Sequence, residues 1–163
     1  MQPLFIKGEV MKNILFICHG NICRSPTAEL LFNHIVAQRH LDHRFHADSA
    51  AVSSETISRS GMGSPVYPNC RVLLEAEGID CSAKRSAQLK KEDYNKYDLL
   101  VVMDEDNYLR AITILGGDEK GKLKRLAEYT DGTEIADPWY TRDFDKAIKD
   151  IRAGVNALLD TLL

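Results

Sequence analysis

The segment Cys18-His19-Gly20-Asn21-Ile22-Cys23-Arg24-Ser25-Pro26 carries a thiol, a guanidinium and a hydroxyl in the spacing C-x5-R-S. A loop wrapped around a helix N-terminus turns several backbone N–H groups toward one point, where the helix dipole adds positive potential. Arg24 supplies a permanently charged planar fork that matches two oxygens of a phosphate. Gly20 and Asn21 tolerate the positive φ that such a tight loop demands. In that field the Cys18 thiol is favoured as thiolate, which makes it a nucleophile near neutral pH. Ser25 can donate a hydrogen bond to it. The same donors hold the equatorial oxygens during in-line phosphoryl transfer. His19 lies inside the loop, with its side chain expected to point away from the anion.

Such chemistry also needs an acid for the leaving oxygen and a base to activate water. The candidate is Asp137, in Asp137-Pro138-Trp139-Tyr140, which holds the only Trp of the chain. Pro138 stiffens this loop, and Trp139 and Tyr140 can wall a cleft for an aromatic ring. Asp-Pro is also a common turn pair, so the pair alone is a weak signal.

These side chains need a frame. The apolar run 12–17 reads as a buried parallel strand ending at Cys18. Ser25 is expected as N-cap and Pro26 in the first turn of a helix. Ala28, Leu31, Phe32 and Ile35 give that helix one buried face. Residues 46–52 and 98–103 read as further strands, 53–68 as a Ser/Gly/Pro-rich loop, and 68–77 as a helix stopped by Gly78. Asp104 is expected to cap a helix running to about Leu115. Residues 123–129 read as a fourth strand, and the apolar spacing from Phe144 to Leu162 as a long C-terminal helix. Alternation of this kind predicts an α/β three-layer sandwich with a four-stranded parallel sheet. Ligands bind such sheets beyond the strand C-termini, where Cys18 falls.

The chain has 163 residues, enough for one domain with a sizeable core. We assign that domain to residues 11–163 and read residues 1–10 as an extension. The apolar cluster Leu4-Phe5-Ile6 is too short for a signal peptide, and no apolar run is long enough to span a bilayer. The formal charge of −3 gives no reason to expect nucleic acid or an anionic membrane as partner. The four cysteines, Cys18, Cys23, Cys70 and Cys81, form neither a secreted disulfide framework nor a zinc pattern. Reactive thiols in a reducing, cytoplasmic compartment fit better. His40, His43 and His46 straddle a helix end and a strand start, so no metal site is assigned to them. Cys70 and Cys81 read as structural or incidental thiols.

The chain resembles the low-molecular-weight protein tyrosine phosphatases. CHGNICRSPTAE, from Cys18 to Glu29, is close to that family's signature. The likeness continues at Asp48-Ser49-Ala50-Ala51, Gly78-Ile79-Asp80, the Met103-Asp104-x-x-Asn107 stretch and Asp137-Pro138. The resemblance implies a flavodoxin-like fold with Cys18 as nucleophile, Arg24 as phosphate ligand and Asp137 as general acid and base. His19, Gly20, Asn21, Ile22, Cys23 and Ser25 complete the phosphate-binding loop. It further implies that Asn21 and Ser25 organise the loop and that Ser49 hydrogen-bonds the loop asparagine. Cys23 would be the second loop cysteine, able to bond to the nucleophile under oxidation. No metal or organic cofactor is implied. The expected partner is a tyrosine-phosphorylated protein, the product inorganic phosphate, and the enzyme a monomer or weak dimer.

Two positions depart from familiar members. Glu55 follows Ser53-Ser54 where an aromatic residue is common, and Trp139 stands where Tyr is common. Both are expected in the substrate cleft, so peptide preference is what they alter. Ile22 stands where the protein-arginine phosphatase branch has Thr, which favours phosphotyrosine. Three alternatives share the scaffold: a protein-arginine phosphatase, an arsenate reductase and a non-catalytic phospho-binding module. The reductase needs a cysteine pair near residues 104–115, where none occurs. The binding module is disfavoured by the presence of a full catalytic set.

Overall fold

The computed structural model describes residues 10–163, so all but the last residue of the expected extension 1–10 lies outside the described residues. Strand β1 (Lys12–Cys18) is followed by α1 (Arg24–Gln38), β2 (Phe45–Ala51), α2 (Pro68–Glu75), the single turn α3 (Asp93–Lys96) and β3 (Leu99–Val102). Then come α4 (Glu105–Leu115), β4 (Leu123–Arg125), a 3-10 turn at Leu126–Tyr129, the short α5 (Pro138–Thr141) and α6 (Phe144–Leu162).

All strand pairings are parallel, in the order β2-β1-β3-β4. This doubly wound order reverses direction between β1 and β3, which opens a crevice beyond their C-terminal ends. Cys18 is the last residue of β1, and Asp104 follows β3 by two residues, so both face that crevice.

Alternate residues of β1 and β3 feed opposite faces of the sheet, as strand geometry requires. Ile14, Phe16, Val101 and Met103 pack with Leu31, Phe32, Ile151, Val155 and Leu158 from α1 and α6. Leu15, Ile17, Leu100 and Val102 pack with Ala111 and Leu115 of α4. These two cores on either side of one sheet are the expected three layers.

Three local expectations change. Helix α1 starts at Arg24, with Cys23 in the cap position and no side-chain cap bond, because Ser25 turns inward to the Cys18 sulfur instead. Helix α2 ends at Glu75, earlier than expected; Gly78, at φ 81°, follows a looser turn. The expected fourth strand breaks after Arg125, where the chain winds into the 3-10 turn. There Glu128 accepts from the Arg125 amide.

Candidate active site

The loop between β1 and α1 is held from outside by its carbonyls. Val52 and Ser53 amides donate to Cys18 O and His19 O, at 3.0 Å each. Thr56 Oγ1 donates to Gly20 O at 2.7 Å, and the Tyr67 amide to Ile22 O at 2.8 Å. In a planar peptide the N–H points opposite to the carbonyl. Fixing these carbonyls outward therefore turns the following amides toward the loop centre, which makes an anion cradle.

Asn21 alone in this loop adopts positive φ, at 55°. Gly20 does not; its requirement is space, since a Cβ there would stand 3.2 Å from Thr56 Cγ2. The Asn21 side chain is a buried hub. Its Nδ2 donates to Ser25 Oγ and Ser49 Oγ, both at 2.8 Å, and its Oδ1 accepts from the Ala87 amide at 3.0 Å. Ser49 in turn donates to Glu29 Oε1 at 2.7 Å, and Lys84 Nζ pairs with that same oxygen at 2.8 Å. The chain of contacts ends at Cys18. Ser25 Oγ lies 2.9 Å from Cys18 Sγ, and the Asn21 amide donates to that sulfur at 3.3 Å.

Arg24 is only 3% exposed. Its Nη1 donates to Asp104 Oδ2 at 2.6 Å and to Ile135 O at 2.9 Å, and its Nη2 reaches Asp137 Oδ2 at 3.4 Å. Burial opposes the charge, but Cys18, Asp104 and Asp137 outweigh it, so its pKa is raised and the guanidinium is held charged. Asp137 caps α5 with its other oxygen, which accepts from the Trp139 amide at 3.0 Å. Its carboxylate is thereby fixed at the cleft wall facing the loop.

One cleft of about 420 Å³ gathers these groups. Cys18, His19, Gly20, Ile22, Cys23 and Arg24 form its floor, and Glu55, Asp137, Trp139 and Tyr140 its walls. Asn21, Ser25 and Ser49 are buried beneath. The His19 ring leans outward, with Nε2 3.2 Å from Glu55 Oε2 at the rim. The wall is more aromatic than the sequence reading has it. Tyr67 meets Trp139 edge-on and stacks on Phe144, with ring centroids 5.6 Å apart in both pairs.

Asp104, Tyr67, Thr56, Phe144, Glu29 and Lys84 are additions to the expected set. Asp104 had a signal, as a capping aspartate at the end of a buried strand; the others come from loops or helices whose approach no local pattern gives. Cys70, read as a structural or incidental thiol, lies with its sulfur 2.6 Å from Cys23 Sγ. Its hydrogen bond to Cys70, and then burial, pushes the Cys23 thiol up, and the same bond lowers Cys70.

The family model described as low molecular weight phosphotyrosine protein phosphatase matches residues 13–163. The Bacillus subtilis low molecular weight protein-tyrosine-phosphatase YfkJ is 31% identical over 155 residues, covering 93% of this chain and 96% of that protein. The Sus scrofa low molecular weight phosphotyrosine protein phosphatase is 36% identical over 142 residues, covering 84% and 85%. The crystal structure of YfkJ superposes with a TM-score of 0.87 at 30% identity, over 94% of this chain and 95% of that one.

Proposed function

This chain belongs to the low molecular weight phosphotyrosine protein phosphatase family, and from that premise we propose that it hydrolyses phosphotyrosine in proteins through a phosphocysteine on Cys18. The observation that carries this reading is the convergence of Cys18 Sγ, the Arg24 fork and the Asp137 carboxylate on one aromatic-walled cleft.

Cys18 thiolate attacks phosphorus in line with the leaving oxygen, forming an S–P bond as the O–P bond breaks. The loop amides and Arg24 hold the equatorial oxygens as charge spreads over them. Asp137 gives its proton to the departing phenolate, which leaves as neutral tyrosine. Asp137 then takes a proton from water as that water attacks phosphorus. Cys18 departs as thiolate, stabilised by Ser25 and the Asn21 amide, and inorganic phosphate is released. Ile22, Tyr67, Trp139 and Tyr140 flank the phenyl ring. A planar ring fits such a slot better than the flexible stem of phosphoarginine.

We assign the catalytic domain to residues 11–163, since β1 begins at Lys12 and the family match at residue 13. Among the described residues no helix is long and apolar enough to cross a membrane. Four free thiols suit a reducing compartment, so we assign the cytoplasm, with a monomer or weak dimer as the working state.

The test is hydrolysis of an aryl phosphate by wild type and Cys18→Ser, followed by mass spectrometry of proteins trapped by Cys18→Ser in lysate. Loss of turnover and captured peptides bearing phosphotyrosine are expected. A Cys18→Ser enzyme that still turns over overturns the chemistry. Captured phosphoarginine overturns the substrate.

A further inference from the structure

Cys23 stands between two sulfurs. On the cleft side it shares the loop floor with Cys18. On the other side its Sγ is 2.6 Å from Cys70 Sγ, against about 2.05 Å for a disulfide bond. Cys70 lies in the first turn of α2, 1% exposed, and does not line the cleft. The Tyr67 amide, donating to Ile22 O, ties that turn to the loop. Phosphatase chemistry through Cys18 makes no use of Cys70, yet the fold aims its thiol at the loop's second cysteine.

We propose that Cys70 is the resolving thiol of a three-cysteine relay that consumes a hydroperoxide and returns Cys18 to its working state. The proposal rests on Cys18 being the nucleophile of the proposed reaction. Cys18 thiolate attacks the hydroperoxide, whose O–O bond breaks. Cys18 becomes a sulfenic acid, and the alkoxide or hydroxide leaves and takes a proton from solvent. Cys23 thiol condenses with the sulfenic acid, forming a Cys18–Cys23 disulfide and releasing water. Cys70 thiolate then attacks Cys23 Sγ, forming Cys23–Cys70 and expelling Cys18 thiolate. Two electrons have passed from the Cys23 and Cys70 thiols to the peroxide, and Cys18 ends as it began.

Geometry favours the last step. A Cys18–Cys23 disulfide takes Cys18 Sγ away from Ser25 Oγ and the Asn21 amide, which hold it at 2.9 and 3.3 Å. A Cys23–Cys70 disulfide leaves both contacts in place. The expelled thiolate is received by those donors, which makes Cys18 the better leaving group.

The experiment oxidises wild type, Cys70→Ser and Cys70→Ala with one equivalent of hydrogen peroxide. Free thiols are then alkylated, disulfide peptides are mapped by mass spectrometry, and aryl phosphate hydrolysis is assayed without reductant. Before oxidation all three hydrolyse the substrate within about twofold of one another. Failure of unoxidised wild type to turn over would sink the phosphatase reading and leave the disulfide map to judge the relay. After oxidation wild type yields the Cys23–Cys70 peptide with Cys18 alkylated, and keeps at least half its activity. Both variants yield Cys18–Cys23 and lose about tenfold or more until dithiothreitol is added. The relay is overturned if wild type accumulates Cys18–Cys23, or if the variants keep activity as wild type does.

Discussion

Asp104 Oδ2 lies 2.6 Å from Arg24 Nη1, while Asp104 Oδ1 accepts from the Asn107 amide and caps α4. One carboxylate thus joins the end of β3 to the arginine of the neighbouring loop. The guanidinium is held on Nη1 by Asp104 and the Ile135 carbonyl, while Nη2 reaches Asp137 at the cleft wall.

Asp104→Asn keeps the cap and removes the charge that orients Arg24. A hydrogen bond to a charged group contributes about 1.5–3 kcal/mol, so kcat/KM for an aryl phosphate should fall roughly 10- to 100-fold. The inhibition constant for inorganic phosphate should rise with it, because the same fork binds product. An unchanged phosphate constant would show that Asp104 serves only α4.

Asp137 caps α5 with one oxygen and lines the cleft beside Arg24 with the other, and under the proposed reaction it also protonates the leaving oxygen. Asp137→Asn keeps the cap and removes the transferable proton. Loss of a general acid costs about 10²- to 10⁴-fold. The loss should be large for phenyl phosphate and small for an aryl phosphate with a strongly electron-withdrawing ring, whose leaving group needs no proton. A loss independent of leaving group, in a plot of rate against phenol acidity, would assign Asp137 to binding alone.

The strand alternation, the Cys18–Arg24 loop and the Asp137 loop were legible in sequence because each is local. Apolar runs set the strands, and the loop residues are neighbours along the chain. Glu29 and Lys84 were not legible, because their pairing beneath Asn21 depends on α1 and the residue 84 loop meeting in space. The contact between Cys70 and Cys23 was hidden for the same reason, since 47 residues separate them. The 3-10 turn after Arg125 was misread as strand because Leu126 and Ala127 are buried apolar residues in either conformation.

Asn21 combines backbone strain with three side-chain hydrogen bonds, and two substitutions separate them. Asn21→Gly relieves the positive φ and loses the bonds; Asn21→Ala loses the bonds and keeps the strain. Both should lower kcat by about tenfold or more through the disordered loop. Only Asn21→Ala should lose a further 1–2 kcal/mol of stability to the left-handed conformation, read by urea denaturation. Equal stability of the two variants would assign the cost wholly to the hydrogen bonds.

Gly154 marks where α6 crosses the 3-10 turn. A Cβ there would stand 2.5 Å from Leu126 Cγ and 2.8 Å from its Cδ2. Overpacking of this kind costs about 1–3 kcal/mol, against about 1 kcal/mol regained from helix propensity. Gly154→Ala should therefore lower Tm by several degrees, roughly 2–4 °C for each kcal/mol in a chain of this size. Turnover at 25 °C should stay as it is, because α6 reaches the cleft only at Phe144. A raised Tm in calorimetry would show that Leu126 moves aside freely.

Glu55 sets the charge at the mouth. Its carboxylate is 74% exposed, 3.2 Å from the His19 ring, at the rim of the cleft. Exposed charge contacts contribute about 0.2–1 kcal/mol, so the effect belongs to selectivity rather than chemistry. Wild type should prefer phosphopeptides with Lys or Arg beside the phosphotyrosine, and Glu55→Lys should reverse the preference toward Asp and Glu. The ratio of kcat/KM between matched basic and acidic peptides should move by roughly fivefold or more at low salt and shrink toward unity at high salt. A salt-independent ratio, or one unmoved by the substitution, would take peptide choice away from Glu55 and leave it to the aromatic wall of Tyr67 and Trp139.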